Sequence, residues 1–315
     1  MKATLRSFAV IALCLLISMP PAQAWNSIGH MAVAYVAYQQ LTPAVQQRVA
    51  VLLAKNPFYK KWLFYIPVGT SAADKNLYIF MMAATWPDEI KAQGSGYKMD
   101  GDVPPNTSEA TRNTGYTDKY MHKYWHFVDL PFSTDGTALP KEPVPNAQTQ
   151  IAAFRKVLAS STASDALKSY DLVWILHLVG DVHQPLHCST RVTAGAPKGD
   201  AGGNSVKINV KPNDLHGYWD NQLGIGDTQN FTTAVAAAKK LSPADSTAAA
   251  DANEADWVQE SFTISKSTVY QPPIGPALGP YTIDSAYSDT ALATAQQRVA
   301  LAGARLANLL NTELK

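Results

Sequence analysis

The sequence predicts a mainly α fold, a single multi-helix domain with at most a small β-hairpin. Three observations predict it. Apolar residues recur at three- and four-residue spacing through most of the 315-residue chain, the period of helices that bury one face. Strand-like alternation is confined to residues 205–210, SVKINV. No internal repeat or long linker divides the chain, and its histidines are spread over several helical stretches rather than gathered in one half.

The elements follow in order. Residues 1–24 read as a secretory signal. Lys2 and Arg6 give a basic start, residues 8–19 are almost wholly apolar, and Ala22-Gln23-Ala24 has the small-x-small form of a signal-peptidase site. That run is too short to span a bilayer, which takes ~20 apolar residues. Cleavage would make Trp25 the first residue of an exported chain whose single domain is residues 25–315. Residues 28–53 predict a helix interrupted at Thr42-Pro43, where proline suits the first turn of a second helix. Further helices are predicted over 77–90, 118–128, 147–158 and 165–182. The last is apolar nearly all round, the mark of a central buried helix. Segments 213–222, 232–241 and 248–265 also have the helical period, and an alanine-rich helix over 287–310 closes the chain. Loops are expected at 94–114, 131–145, 193–203 and 271–280.

Composition narrows the function. The chain carries 26 basic and 25 acidic residues, and loss of Lys2 and Arg6 leaves 24 against 25. Such a balance gives no broad basic footprint for nucleic acid, so a polyanion must be gripped locally. Cys14 would leave with the signal, and Cys188 then has no partner for an intrachain disulfide and is expected to be buried. Asn106-Thr107-Ser108 and Asn230-Phe231-Thr232 fit a glycosylation sequon.

Residues 176–187, LHLVGDVHQPLH, place three histidines and an aspartate on an apolar background. His177 and Asp181 stand four apart and share one helix face. Pro185 should end the helix, so His187 approaches from another direction. His216 and Asp220 repeat the i, i+4 pairing. His122, His126 and Asp129 lie in HKYWHFVD, Asp88 in WPDEIK and His30 in WNSIGH. A single such pair reads equally as a helix ion pair. Several together, on buried helices, point to metal, because a buried polar group is costly unless paired or coordinated. Histidine and carboxylate donors without thiolate suit zinc in a catalytic setting, and a central carboxylate such as Asp181 can bridge two ions.

In order and spacing these motifs resemble the secreted, zinc-dependent, single-strand-specific nucleases of fungi and plants, which have bacterial relatives. The resemblance rests on Trp25 five residues before His30, Trp86-Pro87-Asp88, Trp125-His126-Phe127, His177-x-x-x-Asp181 with His187 ten after His177, and His216-x-x-x-Asp220. It implies a helical fold with three zinc ions in one cleft, a fold shared with zinc-dependent phospholipase C. Asp88, His126, His177 and Asp181 would hold the first zinc. Trp25, through its free α-amine and carbonyl, would hold the second with His30 and the bridging Asp181. His187, His216 and Asp220 would hold the third. The implied reaction is attack by a zinc-bridging hydroxide on single-stranded RNA and DNA. It leaves 5′-phosphate products and is accompanied by 3′-nucleotidase activity, with Asp88 and Asp181 as catalytic carboxylates.

The resemblance also proposes roles outside the ligand set. Lys91 stands where the family commonly has arginine on the phosphate; lysine keeps the charge without the bidentate fork, and a solvated helix lysine is the plain alternative. Phe127 and Asp129 stand where the base pocket begins, with core packing the alternative for Phe127. Asn204 follows Gly202-Gly203 and lines either the cleft or a flexible loop. His122 and His183 fall on no ligand position. His122 reads as a surface or orienting residue, and His183 as a hydrogen-bond partner of a ligand carboxylate. No stable membrane association and no protein partner is implied. A phospholipase C is the main rival, but its N-terminal tryptophan lies further from its first histidine and its last pair ends in glutamate. A zinc-storage protein would be expected to carry redundant histidine-rich tracts instead.

Overall fold

The computed structural model describes residues 25–315, so the expected signal peptide at residues 1–24 lies outside the described residues. Twelve helices are described: α1 Ser27–Tyr38, α2 Pro43–Leu53, α3 Tyr59–Tyr65, α4 Ala72–Ala83, α5 Trp86–Glu89, α6 Ala147–Ala159, α7 Asp165–Asp181, α8 Leu215–Asp220, α9 Phe231–Ala238, α10 Ser246–Ala250, α11 Glu254–Ile264 and α12 Ser285–Glu313. The molecule is mainly α, as the periodicity predicts. Local chemistry sets many of the starts. Thr42, Ser71, Ser164, Asp214 and Asp284 each accept a backbone N–H of the helix they open, and Asn146 and Thr149 form a reciprocal capping box at α6.

The α7 helix is buried along residues 169–181 and is packed by α6, α2, α12, α1 and α5. Around it lies the larger apolar cluster, rich in tryptophan. A smaller cluster joins Phe132, Leu186, Val206, Ile208, Leu215 and Trp219 to the chain around Val269 and Tyr287. Residues 182–188, just after α7, link the two clusters. A polar brace holds this turn. Arg298 of α12 donates to the His183 carbonyl and to Ser261, Ser261 donates to the Val182 carbonyl, and Glu260 accepts from both Arg298 and Arg305.

Several segments differ from expectation. The predicted 118–128 helix is only a 3-10 turn, Lys123–Trp125. Asp118 accepts the Tyr120 N–H and Asp100 accepts those of His122 and Lys123, so side chains capture donors a helix would need. His122 adopts left-handed dihedrals, φ 46°. Residues 205–210 form no continuous strand and pair only through isolated bridges, Lys207 antiparallel to Asp214 and Ile208 parallel to Tyr281. Val206 and Ile208 are buried as alternation requires, but the Lys207 and Asn209 N–H groups go to the Leu278 and Tyr281 carbonyls. The two named strands are β1 Pro131–Ser133 and β2 Thr190–Val192, paired parallel with Phe132 opposite Arg191. The 77–90 helix breaks between α4 and α5, where Pro87 sits in the first turn of the second piece. The 248–265 helix likewise divides into α10 and α11. The aromatic α3 was not expected; it has no side-chain cap to announce it.

Candidate metal centre

His30 lies on α1, Asp88 on α5, His126 just after the Lys123–Trp125 turn, and His177 and Asp181 on α7. The fold brings all five together. His177 Nε2 is 2.9 Å from His126 Nδ1, 3.3 Å from Asp181 Oδ2 and 3.7 Å from Asp88 Oδ1. Asp181 faces two ways. Its Oδ2 lies 3.2 Å from His126 Nδ1, and its Oδ1 lies 3.3 Å from His30 Nε2. The His30 ring stacks on His177, centroids 3.8 Å apart.

Close approach of α1 to α7 depends on Gly180. A Cβ there would lie 2.9 Å from His30 Nδ1. Trp25 is fully buried beside the same glycine, with its Cδ1 3.8 Å from that position.

A second assembly joins His187 from the 3-10 turn Pro185–Cys188 to His216 and Asp220 of α8. The two imidazole Nε2 atoms face each other at 3.0 Å, and His216 Nε2 lies 3.4 Å from Asp220 Oδ2. Asp220 Oδ1 instead accepts from Gln184 Nε2 at 2.6 Å. In all, three groups of donor atoms lie close enough to hold an ion: His30, His177 and Asp181; Asp88, His126 and His177; His187, His216 and Asp220.

Backbone carbonyls orient three of the imidazoles. His177 Nδ1 donates to Ala84, His187 Nδ1 to His126 and His216 Nδ1 to Gly202, each at 2.7 Å. A carbonyl only accepts, so each Nδ1 carries the proton and each Nε2 turns a lone pair inward. Ala84 is available because the chain breaks there between α4 and α5. Gly202 is held at φ +59°, and a Cβ on it would meet the Leu186 carbonyl at 2.6 Å. None of these orienting carbonyls is visible as a motif, though the Gly202-Gly203 pair was a partial signal.

The electrostatics select a cation. Burial holds His30, His126, His177 and His187 well below the usual imidazole range, so they are neutral at pH 7. Burial also pushes Asp181 and Asp220 well above the usual carboxylate range. Lone pairs and carboxylates therefore converge where protonation of the imidazoles is disfavoured. His30 Nε2 and Asp181 Oδ1, which face each other, are buried without a hydrogen bond. Such a donor set fits a divalent metal, whose charge offsets the desolvation of the carboxylates.

The remaining predicted residues fall into place less uniformly. Lys91 is not a solvated helix lysine. Its side chain is largely buried, with Nζ 2.7 Å from Asp88 Oδ1. Phe127 is partly buried against the larger cluster. Asp129 is partly buried, and burial together with Asp200 and Asp102 pushes its carboxyl up to about 7. Asn204 donates to the Ala201 carbonyl. His122 is buried rather than on the surface. It contacts Asp100 and Asp118 and stacks on Trp125 at 3.6 Å, steadying the residue before His126. His183 does not bond a ligand carboxylate. Its Nδ1 donates to the Val179 carbonyl and its Nε2 accepts from Arg305. Cys188 is buried as expected.

Comparison with known proteins agrees with this geometry. Endonuclease 5 of Arabidopsis thaliana is 28% identical over 149 residues, 44% of this chain and 42% of that protein. Nuclease S1 of Aspergillus oryzae is 22% identical over 221 residues, 67% and 58% of the two chains. Endonuclease 4 of Arabidopsis thaliana is 31% identical over 74 residues, 22% of each. The chain thus matches less than two thirds of the length of each of these relatives. The S1/P1 Nuclease family model matches residues 25–315, all of the described chain, and the protein therefore belongs to the S1/P1 nuclease family.

Proposed function

We propose that the chain is an exported zinc-dependent phosphodiesterase. It hydrolyses single-stranded RNA and DNA to 5′-phosphate products and removes phosphate from 3′-nucleotides. The observation that carries this reading is the convergence of three buried histidine–carboxylate groups, with Asp181 facing two of them. Three zinc ions would be held by Asp88, His126, His177 and Asp181; by Trp25, His30 and Asp181; and by His187, His216 and Asp220. Trp25 would contribute its α-amine and carbonyl, which requires removal of residues 1–24. In support, the family match begins at Trp25. Among the described residues no helix is long and apolar enough to cross a membrane.

Zinc bound there supplies Lewis acidity and brings the pKa of water to ~7. The chain's residues do the rest. Asp88 orients the attacking water in line with phosphorus. Lys91, anchored on Asp88, offsets charge on the phosphate oxygens. The P–O3′ bond breaks as the water oxygen joins phosphorus. The 3′ oxygen leaves with a proton, giving a 5′-phosphate and a 3′-hydroxyl. Phe127 stacks on a base, Asp129 accepts hydrogen bonds from its edge and Asn204 lines the approach. A base must be unstacked to reach such a pocket while its phosphate lies on the metal groups, which favours single strands.

The test uses protein cleaved before Trp25, incubated with single-stranded RNA, single-stranded DNA, 3′-AMP and phosphatidylcholine, with and without chelator. Chelator-sensitive formation of 5′-phosphate ends and of adenosine is expected, with the lipid untouched. Lipid hydrolysis alone would make the chain a phospholipase C, and turnover of nothing by metal-loaded protein would leave a zinc-binding protein.

A further inference from the structure

Asn26 stands between Trp25 and helix α1, and every hydrogen-bonding group of its side chain is engaged. Its Oδ1 accepts from the Ile28 and Gly29 N–H groups at 2.9 and 3.2 Å, capping α1. Its Nδ2 donates to Asn221 Oδ1 and, at 2.5 Å, to the Gly224 carbonyl. The backbone adds two more links. Asn26 N–H donates to the Asp220 carbonyl at 3.3 Å, and the Asn26 carbonyl accepts from His30 N–H at 3.1 Å. One largely buried residue is therefore bonded directly to His30 of one donor group and to Asp220 of another. The turn it grips, residues 221–224, follows the last donor of α8 without a break.

We infer that Asn26 is a positioning residue that couples the His30–Asp181 group to the His187–His216–Asp220 group, so that metal in either raises the affinity of the other. The inference rests on the metal-dependent reading above. An ion held by Asp220 fixes the end of α8 and the turn after it. Through Nδ2 this fixes Asn26, and through the Asn26 cap and carbonyl it fixes the first turn of α1, where His30 stands. Coupling of this kind is reciprocal by thermodynamic necessity. Capping uses only the oxygen of the Asn26 amide, and the nitrogen makes the coupling.

The division of labour within one amide gives the test. Asn26→Ser keeps a good cap but is too short to reach residues 221 and 224. Asn221→Ala leaves Asn26 and its cap intact and removes an acceptor on the far side. Cleaved holoprotein is titrated with chelator, and metal retained per chain and thermal midpoint are recorded at each step. His216→Ala, which disables the second group, should lower the chelator concentration that strips the remaining metal by about tenfold, within the range usual for coupled sites. In an Asn26→Ser background the same change should shift it by less than about threefold, because only the weaker route from His187 to the His126 carbonyl persists. Asn26→Ser and Asn221→Ala alone should weaken retention without lowering the thermal midpoint of the stripped protein. Equal His216→Ala effects in both backgrounds, with metal bound, overturn the coupling and leave the enzyme reading standing. Wild-type protein that binds no metal overturns both.

Discussion

A single hydrogen at Gly180 decides how closely His30 approaches Asp181. Alanine is the best helix former, so Gly180→Ala should leave α7 and the thermal midpoint nearly unchanged or slightly raised. Its Cβ, however, would meet His30 Nδ1 at 2.9 Å and Cε1 at 3.2 Å. The ring must move, and misplacement by ~1 Å costs on the order of a hundredfold in rate. The expected signature is a large loss of kcat/KM in a chain that melts normally. His177→Ala and Asp181→Ala should abolish activity and lower zinc content, since His177 belongs to two donor groups and Asp181 faces both; full activity in either would refute the ligand assignment. Asp129 offers a pH-dependent prediction. With its carboxyl pushed up to about 7, it is protonated in mild acid and an acceptor-only carboxylate in mild base. Preference for a base presenting two N–H groups on one edge, such as guanine, should rise as pH increases through ~7. Asp129→Asn should abolish that rise, measured as the ratio of kcat/KM for two 3′-nucleotides across pH.

Interruptions between elements do as much for the site as the elements themselves. The gap between α4 and α5 frees the Ala84 carbonyl for His177, and the collapsed 118–128 segment presents both the His126 ring and its carbonyl. The sequence announces the elements better than the gaps. Helical period locates α1, α2, α6, α7 and α12 because each buries one face or, for α7, nearly all of its surface. It misleads at 118–128 because Asp100 and Asp118, one of them distant in sequence, take the backbone donors. At 205–210 alternation correctly reports burial of Val206 and Ile208, and the pairing there stays weak, limited to single bridges with Asp214 and Tyr281. Asp171, on the same buried helix, gives a stability prediction. Burial pushes its carboxyl up to about 8, opposed by one hydrogen bond from Asn113. In the unfolded chain it titrates at ~4. Between about 4 and 8 the folded state therefore holds a proton that the unfolded state has lost, and stability falls as pH rises through that window. Asp171→Asn should flatten the fall, with a higher thermal midpoint than wild type at pH 8 and little difference at pH 4. A parallel pH dependence in both proteins would exclude Asp171 as its source.

At the scale of the whole molecule, the donor groups tie together parts of the chain that no disulfide joins. Residues from α1, α5, the 123–126 turn, α7, the 185–188 turn and α8 converge on them, and Cys188 has no partner among the described residues. The side chains that make this centre are the ones most expensive to bury without a cation. Imidazole nitrogens face one another, His177 on His126 and His187 on His216, and Asp181 and Asp220 are desolvated. The histidines and aspartates that converge stand out in the sequence because metal ligation would demand such residue types at fixed helical spacing. Their orientation does not, because carbonyls, glycines and the Asn26 amide can be provided by almost any local sequence that bends correctly. Metal removal should therefore act on the fold as well as the chemistry. An ion present at 100 times its dissociation constant stabilises a fold by ~2.7 kcal/mol per site, so chelation should lower the thermal midpoint by many degrees. Readdition of zinc should restore it. A one-residue extension before Trp25 separates the contributions. If Trp25 ligates through its amine, the extended chain should bind less zinc, lose most activity and melt between the stripped and loaded forms. The α1 cap at Asn26 does not depend on that amine, so the extended chain should remain folded. An extended chain as active and as zinc-rich as the cleaved one would remove Trp25 from the centre and leave His30 and Asp181 to hold that ion without it.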